Sequence, residues 1–313
     1  MTRWLLLKLS VLGAVSAFLM GGTFTCNVTF IPPAKKESTE TQTAAVPAGA
    51  IVKIENDNGS TRVTVDPTAT EATIRITKTA IASTTEAAEA LLAQMEVTVT
   101  PAGAPDNTLL IKAVSPPAAT TDTSQIQFTF NDDDEVSVTA LLSDTQVAQY
   151  RLQITLPPAH AVNVTQLAGP IRAIELDTAS TLTASAGSIR SIRAQADVTA
   201  SAQAGSVTIE AHRGSADVTV GAGSVSLQIV SLASTDEAQV RVDAGNISLQ
   251  LPKDVQADLM ALTQVGFVHF HEQDFDATSD IRRNSGYVQG KLNGGGATVD
   301  VQSDVGTIEI DSF

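Results

Sequence analysis

Gly205-Ser-Val-Thr-Ile209, Gly223-Ser-Val-Ser-Leu-Gln-Ile229 and Gly245-Asn-Ile-Ser-Leu-Gln-Leu251 are three versions of one phrase. A glycine opens each, and polar residues then alternate strictly with aliphatic ones. Alternation with period two marks a strand that buries one face. The phrase returns as Gly266-Phe-Val-His-Phe270 and Gly306-Thr-Ile-Glu-Ile310. Its glycines are Gly169, Gly187, Gly205, Gly223, Gly245, Gly266, Gly286 and Gly306, at intervals of 18, 18, 18, 22, 21, 20 and 20. Gly205, Gly214 and Gly223 add a half-period of nine, so each repeat holds at least two strands joined by corners. Glycine suits a corner because it reaches φ > 0 without a Cβ clash.

Repeats of this length bury their apolar faces only by stacking on one another. Stacked coils pair each strand with its counterpart in the next coil, about 4.8 Å away. The pattern therefore predicts an all-β, single-stranded and right-handed β-helix, or β-solenoid, of 18–22 residues per coil. Its interior ladder would run Ile171, Ile189, Val207, Val225, Ile247, Val268, Val288, Ile308. Full burial of each such side chain stabilises by roughly 1.5–3 kcal/mol. A β-sandwich also has short, regularly spaced strands, but its strands do not repeat one another's sequence.

Residues 47–313 form the predicted solenoid, regular over 168–313 and irregular over 47–167. One short α-helix over 84–95 interrupts the irregular part, opened by Ser83-Thr-Thr-Glu86 as a capping box. Strands are expected over 96–100, 109–114, 125–130, 136–140 and 150–156, with a turn at Asn131-Asp-Asp-Asp134.

Composition agrees with a narrow interior. The 313 residues include nine Phe, two Tyr and one Trp, so the core rests on Ala, Val, Ile and Leu. With 19 basic against 34 acidic residues, the net charge of −15 argues against nucleic acid as a partner. Cys26 is the single cysteine, which excludes an internal disulfide and a cysteine-built metal site. Arg3 and Lys8 precede Leu9–Ile31, 23 residues without a charge. Residues 1–31 thus read as a signal peptide or a membrane anchor, with lipidation at Cys26 as a third possibility. In each case the positive flank stays inside and the rest of the chain lies outside the cytoplasm. Residues 32–46 carry no hydrophobic period and read as a flexible linker.

Few residues suggest chemistry. His269 and His271 share a strand face beside Glu272, a spacing found in metal sites, although the alternation puts them on the outside. Positions following the glycines point outward and are polar except at Phe267 and Tyr287, which would stack on adjacent coils and anchor a sugar ring or a protein. The segment 273–283 is the one placed to fold over them. Asp132-Asp-Asp-Glu135 fits no calcium loop and reads as a solvated acidic turn. A polysaccharide-acting β-helix enzyme would need charged groups converging from several coils, whereas the recurrent outward residues are Ser, Thr, Gln and Ala. No cofactor is implied.

The opening Glu55-Asn-Asp-Asn-Gly59, the strand Tyr150-Arg-Leu-Gln-Ile-Thr-Leu-Pro157, the Gly-x-Ile/Val ladder and the closing Gly290-Lys-Leu-Asn-Gly-Gly-Gly296-Ala-Thr-Val-Asp-Val301 together resemble the "putative adhesin" β-helix domains of bacterial exported proteins. The resemblance covers roughly 50–312, with Ala-Gly here where many relatives carry Asn-Gly. It implies a β-helix in the cell envelope, tethered to the membrane by its N-terminal segment and acting as a non-catalytic interaction module for an envelope protein or glycan. The alternatives are the polysaccharide-acting enzyme and a self-assembling structural envelope protein.

Overall fold

A computed structural model describes residues 34–103, 107–117, 126–130, 136–140 and 146–313. The chain divides into two units, 1–31 with 121–143, and 32–120 with 144–313. In the first, the described residues form an antiparallel pair of strands, Ile126–Phe130 and Val136–Ala140. The acidic turn between them, and the whole N-terminal segment with Cys26, lie outside the described residues.

The second unit is all-β with one short helix. Its repeat units form layers, each giving one strand to each of two parallel ladders. In the first ladder Val162, Ser180, Val198, Ala216 and Ala238 stand in register on successive strands. In the second, Ile171, Ile189, Val207, Val225 and Ile247 do the same. Alternation does the rest, burying these residues while their neighbours face outward.

The corner between the ladders is a column of glycines. Gly59, Gly169, Gly187, Gly205, Gly223, Gly245, Gly306 and Gly266 succeed one another in that spatial order, with φ between 109° and 153°. At each of the seven beyond Gly59, an added Cβ would overlap the carbonyl oxygen of the neighbouring glycine. Amide to carbonyl bonds hold the layers there, for example Gly187 N–H to the Ala204 oxygen at 2.9 Å and Gly205 N–H to the Ala222 oxygen at 2.9 Å.

The order of that column differs from the order of the chain. The expected interior ladder holds from Ile171 to Ile247, but Ile247 then pairs with Ile308, and Ile308 with Val268. The last strand, Ala297–Ser312, is thus inserted between the layer of Glu237–Leu251 and the strand Ala257–Phe270. Val288 leaves the ladder altogether. Its strand, Tyr287–Leu292, runs antiparallel to Ala257–Phe270 and sets Val288 against Ala261. Gly286 is accordingly absent from the column; its carbonyl accepts the Thr263 N–H. At the other end the place is filled by Gly59, whose strand Ile51–Val65 carries both halves of a layer in one run.

The segment expected as a flexible linker is largely a strand. Ala34–Ala44 pairs antiparallel with Ala72–Ala82 over its full length. It needs no hydrophobic period, because an edge strand is held by its backbone. Its side chains meet partners on the surface, with Lys36 Nζ 2.7 Å from Glu89 and Lys78 Nζ 3.5 Å from Glu40. The helix spans Thr85–Gln94. Its cap is Thr84, whose hydroxyl accepts the Ala87 N–H at 3.1 Å, one residue later than the capping box placed it. Leu91 and Ala88 anchor it to the core. Among the described residues three aromatics enter the interior, Phe270 and Phe275 at one end and Tyr150 near the other. Tyr150 lies beside Gly59 and is fully buried, its hydroxyl donating to the Val114 carbonyl at 2.6 Å. Burial pushes that hydroxyl's pKa to about 12.

Two predictions follow from the column and the inserted strand. Gly205→Ala must displace the Gly187 carbonyl and should cost about 3–5 kcal/mol in denaturant unfolding. Gly49→Ala, also at positive φ but with open space around it, should cost about 1–2 kcal/mol. Removing 297–313 takes away the sheet partner that Ala257–Phe270 shares with the main stack. Amide exchange in 257–270 should then rise to that of an unstructured segment while 161–231 stays protected.

Candidate functional site

The outward residues that precede the column glycines form a ridge. Ala186, Ala204, Ala222 and Ala244 are succeeded on the next two rungs by Val305 and Val265. These two valines are 52% and 63% exposed, and Phe267 beside them is 58% exposed. Phe267 is therefore uncovered. The segment 273–283 instead closes the end of the core, where Phe275 stacks on Phe270 with ring centres 5.5 Å apart.

Phe267 and Tyr287 do not occupy adjacent rungs of one ladder. Phe267 stands opposite Thr307, and Tyr287 opposite Leu262 on a strand of reversed direction. The Tyr287 hydroxyl donates to Gln289. Phe267 has a nearer aromatic neighbour in His269, their rings roughly parallel with centres 6.3 Å apart.

The metal-like trio is dispersed as well. The strand ends at Phe270, and His271 caps the short 3-10 turn Glu272–Asp274 that follows it. His271 Nδ1 contacts the Asp311 carboxylate and lies 4.0 Å from Asp274 Oδ2. Glu272 accepts the Thr278 hydroxyl at 2.9 Å and lies 3.5 Å from Arg283. Among the described residues, the grouping with metal-ligand spacing is His271, Asp274 and Asp311, whose ligating atoms lie within 4.8 Å of one another. Sequence spacing missed it because Asp311 comes from the inserted strand, 40 residues later in the chain.

Among the described residues His212 is, with Tyr150, a fully buried ionisable group. It stands where the two preceding layers place Leu176 and Ala194, and like them is fully buried. Its Nε2 donates to the Ser215 carbonyl at 2.9 Å, while Nδ1 has no partner. Burial holds its pKa below the ordinary 6.5, with hydrogen bonds to the 214–215 backbone and the charges of Asp197 and Asp236 opposing that shift.

On the second ladder's outer face, a groove of about 450 Å³ is lined by Arg62, Thr64, Asp66, Gln153, Thr155 and Glu175, among others. Asp66 accepts both the backbone N–H and the hydroxyl of Thr68, at 2.8 and 2.7 Å, which holds its carboxyl below the usual carboxylate range. Glu175 accepts two bonds from the Arg193 guanidinium, at 3.1 and 2.8 Å.

Comparison with solved structures finds alignments that extend over most of the chain. The chain is 12% identical to a "putative cell adhesion protein" from Clostridium sporogenes, with 89% of this chain and all of that one aligned and a TM-score of 0.36. It is 13% identical to a "putative adhesin" from Bacteroides fragilis, covering 91% of this chain and all of that one with a TM-score of 0.37. A "putative adhesin" from Parabacteroides merdae aligns with 87% of this chain and 95% of its own at 12% identity and a TM-score of 0.25. No family model and no curated protein matches the sequence.

The state of His212 sets a pH dependence. Below 6.5 the unfolded chain takes up a proton that the folded chain refuses, so stability is fully present above 6.5 and declines as pH falls toward the depressed folded value. Unfolding free energy measured between pH 7 and 5 should therefore fall for the native chain. His212→Leu, which restores the residue type of the Leu176 layer, should flatten that slope.

Proposed function

We propose that this chain is an extracytoplasmic, membrane-tethered β-solenoid, right-handed in its coiling, that serves as an adhesin-like interaction module of the cell envelope. The observation that carries the reading is the unbroken glycine column with its two parallel ladders, which presents long outward rows of short polar side chains. Such a surface offers an extended recognition face. The placement outside the cytoplasm rests on Arg3 and Lys8 ahead of Leu9–Ile31, with Cys26 as the residue that a lipid anchor would use. Among the described residues no helix is long and apolar enough to cross a membrane.

The reading is non-catalytic. A general acid in a glycan-cleaving site needs a carboxyl whose pKa is raised. Asp66 in the groove is instead held below the usual carboxylate range by its hydrogen bonds to Thr68. The edge strands also weigh against end-to-end assembly. Ala34–Ala44 is rich in charge, and Thr278–Asn284 carries Asp280, Arg282 and Arg283 with a register shift, features that discourage pairing with another sheet edge.

The test is accessibility. In cells expressing the full chain, protease added to spheroplasts should digest the folded part while a cytoplasmic marker survives. Protection of both would refute the extracytoplasmic placement.

A further inference from the structure

Five of the chain's eleven arginines lie on one sheet face, although acidic residues outnumber basic ones 34 to 19. Registers place them. Arg62, Arg172 and Arg190 occupy three successive rungs of the second ladder. On the other side of Arg62 comes Gln153, and then Arg75. Arg151 projects from the same strand as Gln153, two residues earlier. All five are exposed, and their flanking neighbours Thr61, Val63, Ile171, Ala173 and Ile189 are buried, so the guanidinium groups point outward together.

This arrangement is costly to the fold. Adjacent strands are about 4.8 Å apart, and like charges directly opposite one another are destabilising. Farther along the same row the rungs carry Thr208, Ser226 and Ser248, so the ladder has no structural need of charge at this position. Counter-charges are only partly supplied. Glu210 lies 2.6 Å from Arg190, and Glu175 is taken up by Arg193. Among the described residues, Arg62 and Arg172 have no acidic partner within ion-pair distance. Neutralisation is thus left to something outside the chain.

We infer that the row Arg62, Arg172, Arg190, with the groove beside Arg62, binds an acidic polysaccharide bearing one carboxylate per sugar ring. Guanidinium groups repeated at the strand spacing meet carboxylates repeated along an extended glycan, each pair in the two-pronged geometry that arginine favours. The groove supplies the rest of sugar recognition. Gln153, Thr64 and Thr155 offer amide and hydroxyl groups, and the side-chain oxygens of Asp66 and Glu175 can accept bonds from sugar hydroxyls. Nucleic acid is disfavoured because the row carries no aromatic side chain on which bases could stack. The remaining acidity of the protein is a weak obstacle, since charges beyond the Debye length of about 8 Å are largely screened at physiological salt.

The inference deepens the interaction-module reading and rests on it for where such a glycan is met. Binding by the purified chain is separable from location. The full chain in non-ionic detergent micelles is titrated calorimetrically with an oligogalacturonate. Saturable binding is expected, weakened by added salt. The methyl-esterified oligomer should bind at least tenfold more weakly. Arg62→Gln/Arg172→Gln should lose at least tenfold in affinity with a melting temperature that does not fall, because it relieves the repulsion of two directly opposed charges, while Arg282→Gln/Arg283→Gln at the far end of the stack retains the affinity. Failure of the oligogalacturonate to bind, equal binding by the Arg62/Arg172 variant, or equally tight binding of an oligothymidylate of the same charge would each overturn the proposal. None of these outcomes bears on the protease result.

Discussion

Everything in the second unit depends on how closely one corner lets successive layers approach. Backbone meets backbone at the glycine column with no room for a Cβ, and φ there is positive throughout. Had any layer carried a side chain at this point, its two strands could not both stay in hydrogen-bonding register with the layer below. The register of the two ladders then decides which side chains face in. A shift of one residue would turn every buried Val and Ile outward. The corner thus fixes the ladders, the ladders fix the core, and the outer rows, including the arginines, are what remains.

The inserted strand shows what a repeat can and cannot encode. Alternation and glycine spacing place each residue within its own layer, and from Ile171 to Ile247 chain order and spatial order coincide. Nothing in a repeat says which copy follows which in space, because near-identical strands can accept one another's neighbours equally well. Val268 and Ile308 both fit above Ile247, and the chain puts Ile308 there. The linkers decide. Thirteen residues, 284–296, include the turn at 285–286 and the glycines 294–296, and the strand Tyr287–Leu292 between them reverses direction to cover the end. The same reversal removed Gly286 from the column and separated Tyr287 from Phe267. Ala34–Ala44 escaped notice for a different reason: an edge strand with two solvated faces lacks the periodicity that betrays a buried one.

Site residues were less legible than the fold. Periodicity does identify outward positions, and Phe267 is exposed as its register implied. Clusters, however, arise from elements distant in the chain. His271 meets Asp311 only because the last strand lies next to the layer that His271 terminates. Arg62 and Arg172 are 110 residues apart in sequence and adjacent in the sheet, since Ile51–Val65 stacks directly on the layer of Ala161–Ile174. The repeat betrayed Arg172 and Arg190 as equivalent positions, but gave no hint that an irregular strand from the start of the fold would extend their row.

Charge and architecture come together at that row. A parallel stack multiplies whatever it places at one position, so a neutral residue there yields a bland ribbon and a charged one yields an array with a fixed spacing. Serine and threonine occupy the row through the middle of the stack, where the repeat is most regular. Arginine occupies it where the irregular N-terminal part joins the regular one, beside the groove that Arg62, Asp66 and Gln153 line. Regular layers supply spacing without shape, and the junction adds shape to the same spacing. Recognition in a fold of this kind is therefore expected where its repetition is interrupted, and the end that holds Val265, Phe267 and Val305 is the second such place.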